Sequence, residues 1–411
     1  MPDLLFLCHR VPYPPNKGEK IRAWHILTHL AGTHRVHLGC LADDPADLAH
    51  GEALRRVCAR IGCFAVRPRV QKLRAMAKFR PGRPLTLDYF HSPALSRWIA
   101  DTLAHHPIER LYVYSSGMAG YAAARQAAIR VLDLVDVDSE KWRAYAPRHG
   151  WPMRAIYRRE ADTLFAFERR AAMAFDRTLF VSEAEARHFA ALAPECGARV
   201  DWLENGVDLE RFSPARSYSC PYPQDAQNLV FTGAMDYWPN VDAVLWFAKQ
   251  VMPLLRRERP QLRFHIVGAN PASGLLRLRG APGIEVTGRV ADIRPYLAHA
   301  AVAVAPLRIA RGIQNKVLEA MAMARPVVAT PAAFEGVRAV PGRDLLVCAE
   351  AEETARRIAE ILDGRHPTLP AAARRAVERN HDWSSTLQRL DALFPAAARP
   401  LASLAAARSE A

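Results

Sequence analysis

The chain reads as an α/β protein built from two tandem doubly wound domains. Three observations predict this. Short apolar runs alternate with longer amphipathic stretches, the pattern of parallel strands joined by helices. The alternation starts at residue 4, lapses after residue 211 and restarts at residue 228. The 411 residues, at roughly 150 per domain, also leave room for two to three domains.

The first half is expected to hold strands over residues 4–8, 34–41, 62–66, 111–114, 129–133 and 177–181. Helices are expected between them over 20–30, 46–61, 93–104, 118–126 and 154–175. The second half repeats the scheme, with strands over 228–233, 263–267, 284–287, 301–305 and 326–329. Its helices are expected over 242–255, 293–300 and 315–324, the first disturbed near its end by Pro253. The Pro-rich, aperiodic stretch 211–225 is the expected linker. A last helix over 384–393 precedes an Ala-rich tail. The expected domains are therefore 1–205 and 206–380, with 381–411 as a C-terminal helix returning toward the first domain plus a tail. In such sheets ligands bind beyond the carboxyl ends of the strands, here in a cleft between the domains.

Composition removes several classes. With 50% hydrophobic and 24% charged residues the chain is of ordinary globular type, and 21 Gly and 30 Pro exclude collagen-like or linker-dominated sequences. The longest apolar runs, such as 300–307, fall far short of the ~18–20 residues of a membrane span. The N-terminus lacks the basic start of a signal peptide and reads as a strand, so a cytoplasmic protein is expected. Seven scattered cysteines without a Cys-x-x-Cys pair support neither a disulfide framework nor a zinc site.

The net charge is +14, and residues 53–87 hold ten basic residues and no acidic one. Such a patch attracts phosphates of nucleic acid, nucleotides or an anionic membrane. Within it Val70, Leu73, Met76 and Phe79 recur every third residue among Arg74, Lys78, Arg80 and Arg83. That is the pattern of a basic amphipathic helix on a membrane surface, or of a solvated helix packed on its own domain. No zinc-finger, helix-turn-helix or aromatic-strand signature accompanies it, so no nucleic-acid partner is expected.

Three segments have the residue types of a ligand site. After the first strand, His9-Arg-Val-Pro-Tyr-Pro-Pro-Asn-Lys-Gly-Glu-Lys20 leads into a helix. There Gly18 permits close backbone approach, and the helix N-terminus offers N–H groups to an anion. Asn205-Gly-Val-Asp is a turn sequence. Gly312-Ile-Gln-Asn-Lys-Val-Leu-Glu319 places a helix N-terminus, Lys316 and Glu319 at the carboxyl end of one strand. A helix N-terminus with a lysine suits a diphosphate, and a carboxylate one turn further suits the hydroxyls of a ribose.

Val181-Ser182 with its acidic helix, the Asn205-Gly-Val-Asp to Phe212-Ser-Pro segment, and Leu318-Glu-Ala-Met-Ala to Pro326-Val-Val-Ala-Thr330 resemble glycosyltransferase family 4. The resemblance implies a GT-B fold with an acceptor-side N-terminal domain and a nucleotide-sugar donor domain. It further implies a retaining transfer from a UDP- or GDP-sugar, with no bound metal and no cofactor. The donor would be held by Gly18, Gly233, Arg311, Gly312, Gln314, Asn315, Lys316 and Glu319. The loop His9–Lys20 and Asp136-Val-Asp138-Ser-Glu-Lys-Trp142 further resemble the sugar transferases associated with the exosortase (PEP-CTERM) system. For that subgroup a lipid-linked saccharide acceptor, exopolysaccharide biosynthesis and a peripheral place on the anionic inner membrane are implied. Asp136, Asp138 and Lys316 are the catalytic candidates.

Two departures from the family pattern stand out. A sugar-binding glutamate expected eight residues before Glu319 is replaced by Arg311. The loop from Gly233 also carries no basic residue before Lys249. Its diphosphate charge must then be met from elsewhere, by Lys316 or Arg311, with Arg289 and Arg308 as weaker candidates. Asp136-Val-Asp138 could hold a metal, accept a hydrogen bond from an acceptor hydroxyl, or cap the following helix. A nucleotide-sugar 2-epimerase and a degenerate sugar-nucleotide binder are the alternatives to the transferase.

Overall fold

The structure, a computed structural model, describes residues 1–122, 127–223, 227–310 and 312–394. The chain divides into two compact units. The first takes in Met1–Leu203 and the C-terminal segment from Leu387; the second is Glu204–Thr386.

Seven parallel strands form the sheet of the first unit among the described residues: β1 (Asp3–Cys8), β2 (Arg35–Ala42), β3 (Arg60–Ala65), β4 (Ile108–Tyr114), β5 (Ile129–Val135), β6 (Arg177–Phe180) and β7 (Val200–Trp202). Their order is β3-β2-β1-β4-β5-β6-β7. The second unit holds β8 (Asn228–Thr232), β9 (Arg263–Val267), β10 (Ile284–Gly288), β11 (Val302–Ala305), β12 (Val327–Ala329) and β13 (Leu346–Val347), in the order β10-β9-β8-β11-β12-β13. Both are doubly wound. The strand order reverses between β1 and β4 in one and between β8 and β11 in the other, which are the points where such sheets open a ligand crevice. β1, β8 and β11 are buried along their whole length, as continuous apolar runs covered on both faces require.

Several expected elements take another form. Residues 46–61 are not one helix: a 3₁₀ turn Pro45–His50 and a short helix Gly51–Arg55 precede β3. Asp44 caps the turn through the Ala46 N–H, and a buried ion pair from Lys20 to Asp47, 2.7 Å, pins it to the Gly18–Ala31 helix. The expected helix over 118–126 is a single turn, Ser116–Ala119, and residues 123–126 lie outside the described residues. Residues 242–255 form Trp238–Trp246, a π-helical turn Phe247–Val251 and Met252–Glu258, since Pro253 has no N–H for a continuous ladder. β7 and β13 are too short to show a period in sequence.

Of the expected linker 211–225, the described residues 211–223 are packed, and 224–225 lie outside the described residues. Phe212 and Tyr222 are buried in the core of the second unit, and the Arg374 guanidinium donates to the carbonyls of Phe212 and Ala322, both at 2.7 Å. The Trp383–Leu393 helix begins in the second unit and ends in the first, where His29 meets Asp391 at 2.8 Å and Arg389 meets Asp201 at 3.0 Å.

Candidate active site

In the second unit the residues at the switch point form one constellation. β8 ends at Thr232, and Gly233 follows. The backbone here is crowded: a Cβ on Gly268 would lie 1.7 Å from the Gly233 oxygen, so that position takes only glycine. The chain then enters the Trp238–Trp246 helix, whose Asn240 Nδ2 donates to the Ala234 carbonyl at 2.9 Å and fixes the loop. Beyond β11, Gly312 adopts φ +65°, a left-handed conformation that suits glycine, and leads to Gln314 and the Asn315–Ala322 helix. Among the described residues no side chain caps that helix, and the Val317 N–H is taken up by the Gln314 carbonyl, so the N–H groups of Asn315 and Lys316 are the ones left to an anion.

Lys316 crosses from this helix to the Gly233 loop. Its Nζ donates to Asn240 Oδ1 at 3.0 Å and lies 5.1 Å from the centre of the Phe231 ring. Its Cε is 3.5 Å from where a Gly233 Cβ would stand. The basic group that sequence lacks in the Gly233 loop is thus supplied in space by Lys316. Burial pulls the Lys316 ammonium down to about 8, partly offset by the Glu319 charge. Glu319, one turn further, is buried. Desolvation pushes its carboxyl up to about 7, against the pull of Lys316 and Arg211. Arg308 is engaged elsewhere, with Asp242 at 2.6 and 3.1 Å. Arg289 is exposed, and Arg311 lies outside the described residues. The Asn205 amide donates to Asn315 Oδ1 at 3.2 Å, so the Asn-Gly segment braces the helix start. Gly206 has no positive φ. It is needed because a Cβ there would lie 2.7 Å from the Trp383 nitrogen.

In the first unit the carboxyl ends of β1, β4 and β5 gather a second group of residues. Ser115 (φ +85°) and Val135 (φ +69°) both hold left-handed backbone, costly for residues with a Cβ, at the ends of neighbouring strands. Such strain concentrates at functional sites, and no sequence signal announces it. Asp136 follows Val135. Among the described residues its carboxylate takes no hydrogen bond. Burial, together with Glu185 and Asp138, pushes it up to about 7. Asp138 accepts from the Ser116 hydroxyl at 2.6 Å, and burial raises it too. It is the first residue of the Asp138–Tyr145 helix and does not cap it: Ser139 is held by Glu168, at 2.6 Å from its hydroxyl, and the Val137 N–H by Glu185 at 2.9 Å. His9, just past β1, stacks on Tyr114 at 5.7 Å with its buried Nδ1 unbonded. Burial and the neighbouring Arg10 lower it to about 4, so it is neutral near pH 7. Gly18 is exposed at the start of its helix in the first unit.

The basic window forms the Pro68–Ala77 helix and the segment after it. Leu73, Met76 and Phe79 are 68, 63 and 53% exposed, so much of the apolar series faces solvent, while the Phe79 ring also packs under the Arg159 guanidinium at 4.0 Å. The buried face belongs to Ala75 and to Gln71, whose amide donates to the carbonyls of Tyr89 and His91. Arg83 pairs with Asp88 at 3.0 Å. Among the described residues no helix is long and apolar enough to cross a membrane.

Residues 226–364 match the family described as glycosyl transferases group 1. No curated protein matches the sequence. Solved structures do resemble it along nearly its full length. Sucrose-phosphate synthase of Thermosynechococcus elongatus is 15% identical with a TM-score of 0.69, over 96% of this chain and 98% of that one. HepE of Anabaena, in complex with UDP and glucose, is 16% identical with a TM-score of 0.66, over 97% and 100%. WaaG, a glycosyltransferase involved in lipopolysaccharide biosynthesis, is 16% identical with a TM-score of 0.63, over 95% and 100%.

Proposed function

With the two-domain GT-B fold of these structures and a glycosyl transferases group 1 domain in its second unit as premise, we propose that the protein is a retaining, metal-independent glycosyltransferase. It moves a sugar from a UDP- or GDP-sugar to a lipid-linked saccharide in exopolysaccharide biosynthesis, as the exosortase-associated transferases do. The observation that carries this reading is the reach of Lys316 into the Gly233 loop beside an uncapped helix N-terminus, with Glu319 one turn behind.

The second unit binds the donor. The Asn315–Ala322 helix N-terminus and Lys316 meet the diphosphate, and Glu319 accepts from the ribose hydroxyls. Because negative charge on the diphosphate grows as the sugar departs, Lys316 acts mainly on the transition state. A helix terminus and a cation suffice for this charge, so no metal is assigned to Asp136 or Asp138. Asp136, unbonded and titrating about 7, accepts from the acceptor hydroxyl, and Asp138 orients the segment through Ser116. The exposed Leu73, Met76 and Phe79 among Arg74, Lys78 and Arg80 dock the first unit on an anionic membrane, where the acceptor lipid resides. HepE is known with UDP-glucose, which makes UDP-sugars the first donors to test.

The test is a screen of nucleotide sugars for thermal stabilisation and for release of the nucleoside diphosphate, with and without EDTA. Turnover that survives EDTA supports the reading. Binding without turnover leaves a degenerate binder, inversion at C2 an epimerase, and Mn²⁺-restored activity a metal enzyme. Arg311→Ala and Arg311→Glu divide the remaining question: rescue by glutamate marks a lost sugar-binding carboxylate, and loss in both marks a cation that serves the diphosphate.

A further inference from the structure

The first unit holds a cavity of about 500 Å³ between the loop that leaves β1, the Gly18–Ala31 helix and residues 49–57. Three aromatic rings, Tyr13, Trp24 and His50, line it. They touch one another: Tyr13 and Trp24 lie 4.9 Å apart with planes tilted by 59°, and Tyr13 and His50 lie 5.5 Å apart at 71°. Ala49, Ala53 and Val57 complete the apolar wall, and Glu52 and Arg56 form the polar rim. All three rings are half-buried, so each keeps surface for a ligand.

The charges here are matched. Arg56 pairs with Glu52 at 2.9 Å, and below the wall Lys20 pairs with Asp47 at 2.7 Å. The Arg56 charge is already balanced by Glu52, so the rim offers a phosphate no net positive charge. A neutral molecule with apolar C–H faces and a hydroxyl rim matches both the rings and the paired charges, whose outer lone pairs and N–H groups remain in solvent. The volume lies in the range of ordinary small-ligand sites. The pocket is also preorganised, because the buried Lys20–Asp47 pair and the Asp44 cap hold its 3₁₀ wall against the helix that carries Trp24.

We infer that this cavity is a saccharide-binding subsite, in which Tyr13 and Trp24 stack on sugar rings and Glu52 and Arg56 bond to their hydroxyls. Its role as a seat for the acceptor glycan rests on the transferase reading; its chemistry does not. Tyr13 stands four residues after His9, so the loop that stacks His9 on Tyr114 also forms the wall of the subsite.

Saturation-transfer NMR on the full chain tests it, with a mixture of neutral gluco-, manno- and galacto-tetrasaccharides as probe and UDP titrated in parallel. The expected result is saturation of saccharide protons, weakened about ten-fold by Trp24→Ala and by the surface variant Glu52→Gln, with UDP affinity unchanged in both. Glu52 is exposed, so its variant reads the subsite without endangering the fold. The inference is overturned if no tetrasaccharide saturates, if both variants bind saccharide as the parent does, or if UDP displaces the saccharide, which would make the cavity a nucleobase site. A parent that binds saccharide but not UDP would instead sink the donor-site reading and leave this one standing.

Discussion

At the residue scale Lys316 and Glu319 work as a coupled pair. The ammonium is lowered to about 8 and the carboxyl raised to about 7, each mainly by burial. A bound diphosphate favours the charged lysine, so its titration moves upward on binding. UDP binding near pH 8 should therefore take up protons, seen by calorimetry in buffers of different ionisation enthalpy, and Lys316→Met should abolish the uptake. If Glu319 accepts from the ribose as proposed, Glu319→Gln removes a charge-assisted hydrogen bond worth about 1.5–3 kcal/mol, and UDP affinity should fall roughly ten- to a hundred-fold. Asp136 gives a prediction of opposite signs. Its raised titration means the folded chain holds this proton more tightly than the unfolded chain does. That stabilisation is complete below about pH 4 and is lost as pH rises through about 7. Asp136→Asn should thus melt higher than the parent at pH 8, with the difference vanishing near pH 4, while losing transfer activity. In the parent, activity should rise as pH passes through about 7, since only the ionised carboxylate accepts a proton.

At the element scale the Gly233 turn and the Pro68–Ala77 helix make separate demands. Gly268→Ala would force a methyl group against the Gly233 carbonyl and displace the turn, so it should abolish UDP binding and lower the melting temperature. The helix makes a milder prediction, read by liposome flotation. Arg74→Gln and Lys78→Gln should each weaken binding to anionic vesicles by about 1 kcal/mol, and Leu73→Ser with Met76→Ser should weaken it on neutral vesicles as well. These elements also mark how far sequence reaches. The Asn315–Ala322 helix is legible because its loop, lysine and glutamate are adjacent in the chain. The partner Asn240 is not, since it lies 76 residues away and is brought in by the β8–β11 reversal. The basic window is legible as charge, but only its three-dimensional packing shows which face is turned to solvent. Nothing in Ser115 or Val135 as residue types announces left-handed backbone. The proline-rich stretch 211–225 misleads because proline marks an irregular path and not an unpacked one: Phe212 and Tyr222 are core residues.

At the scale of the whole molecule each unit has its own sheet and its own buried core. Donor binding should consequently register in only one of them. Hydrogen exchange with and without UDP should show protection gathered at residues 233–240 and 312–319, and protection spread over the first sheet would place the donor elsewhere. One feature of the chain path bears on more than binding. The second unit starts at Glu204 and stops at Thr386, and its two ends are knitted together: Val207 donates to the His381 carbonyl at 2.7 Å, and Gly206 packs on Trp383. It is an insert with joined ends, a loop of 183 residues spliced into another fold. A segment of that kind can be cut out and exchanged for a counterpart without rethreading its host. A chimaera that keeps residues 1–203 and 387–411 and takes its middle from a transferase of different nucleotide preference should fold, and should carry that preference with the graft.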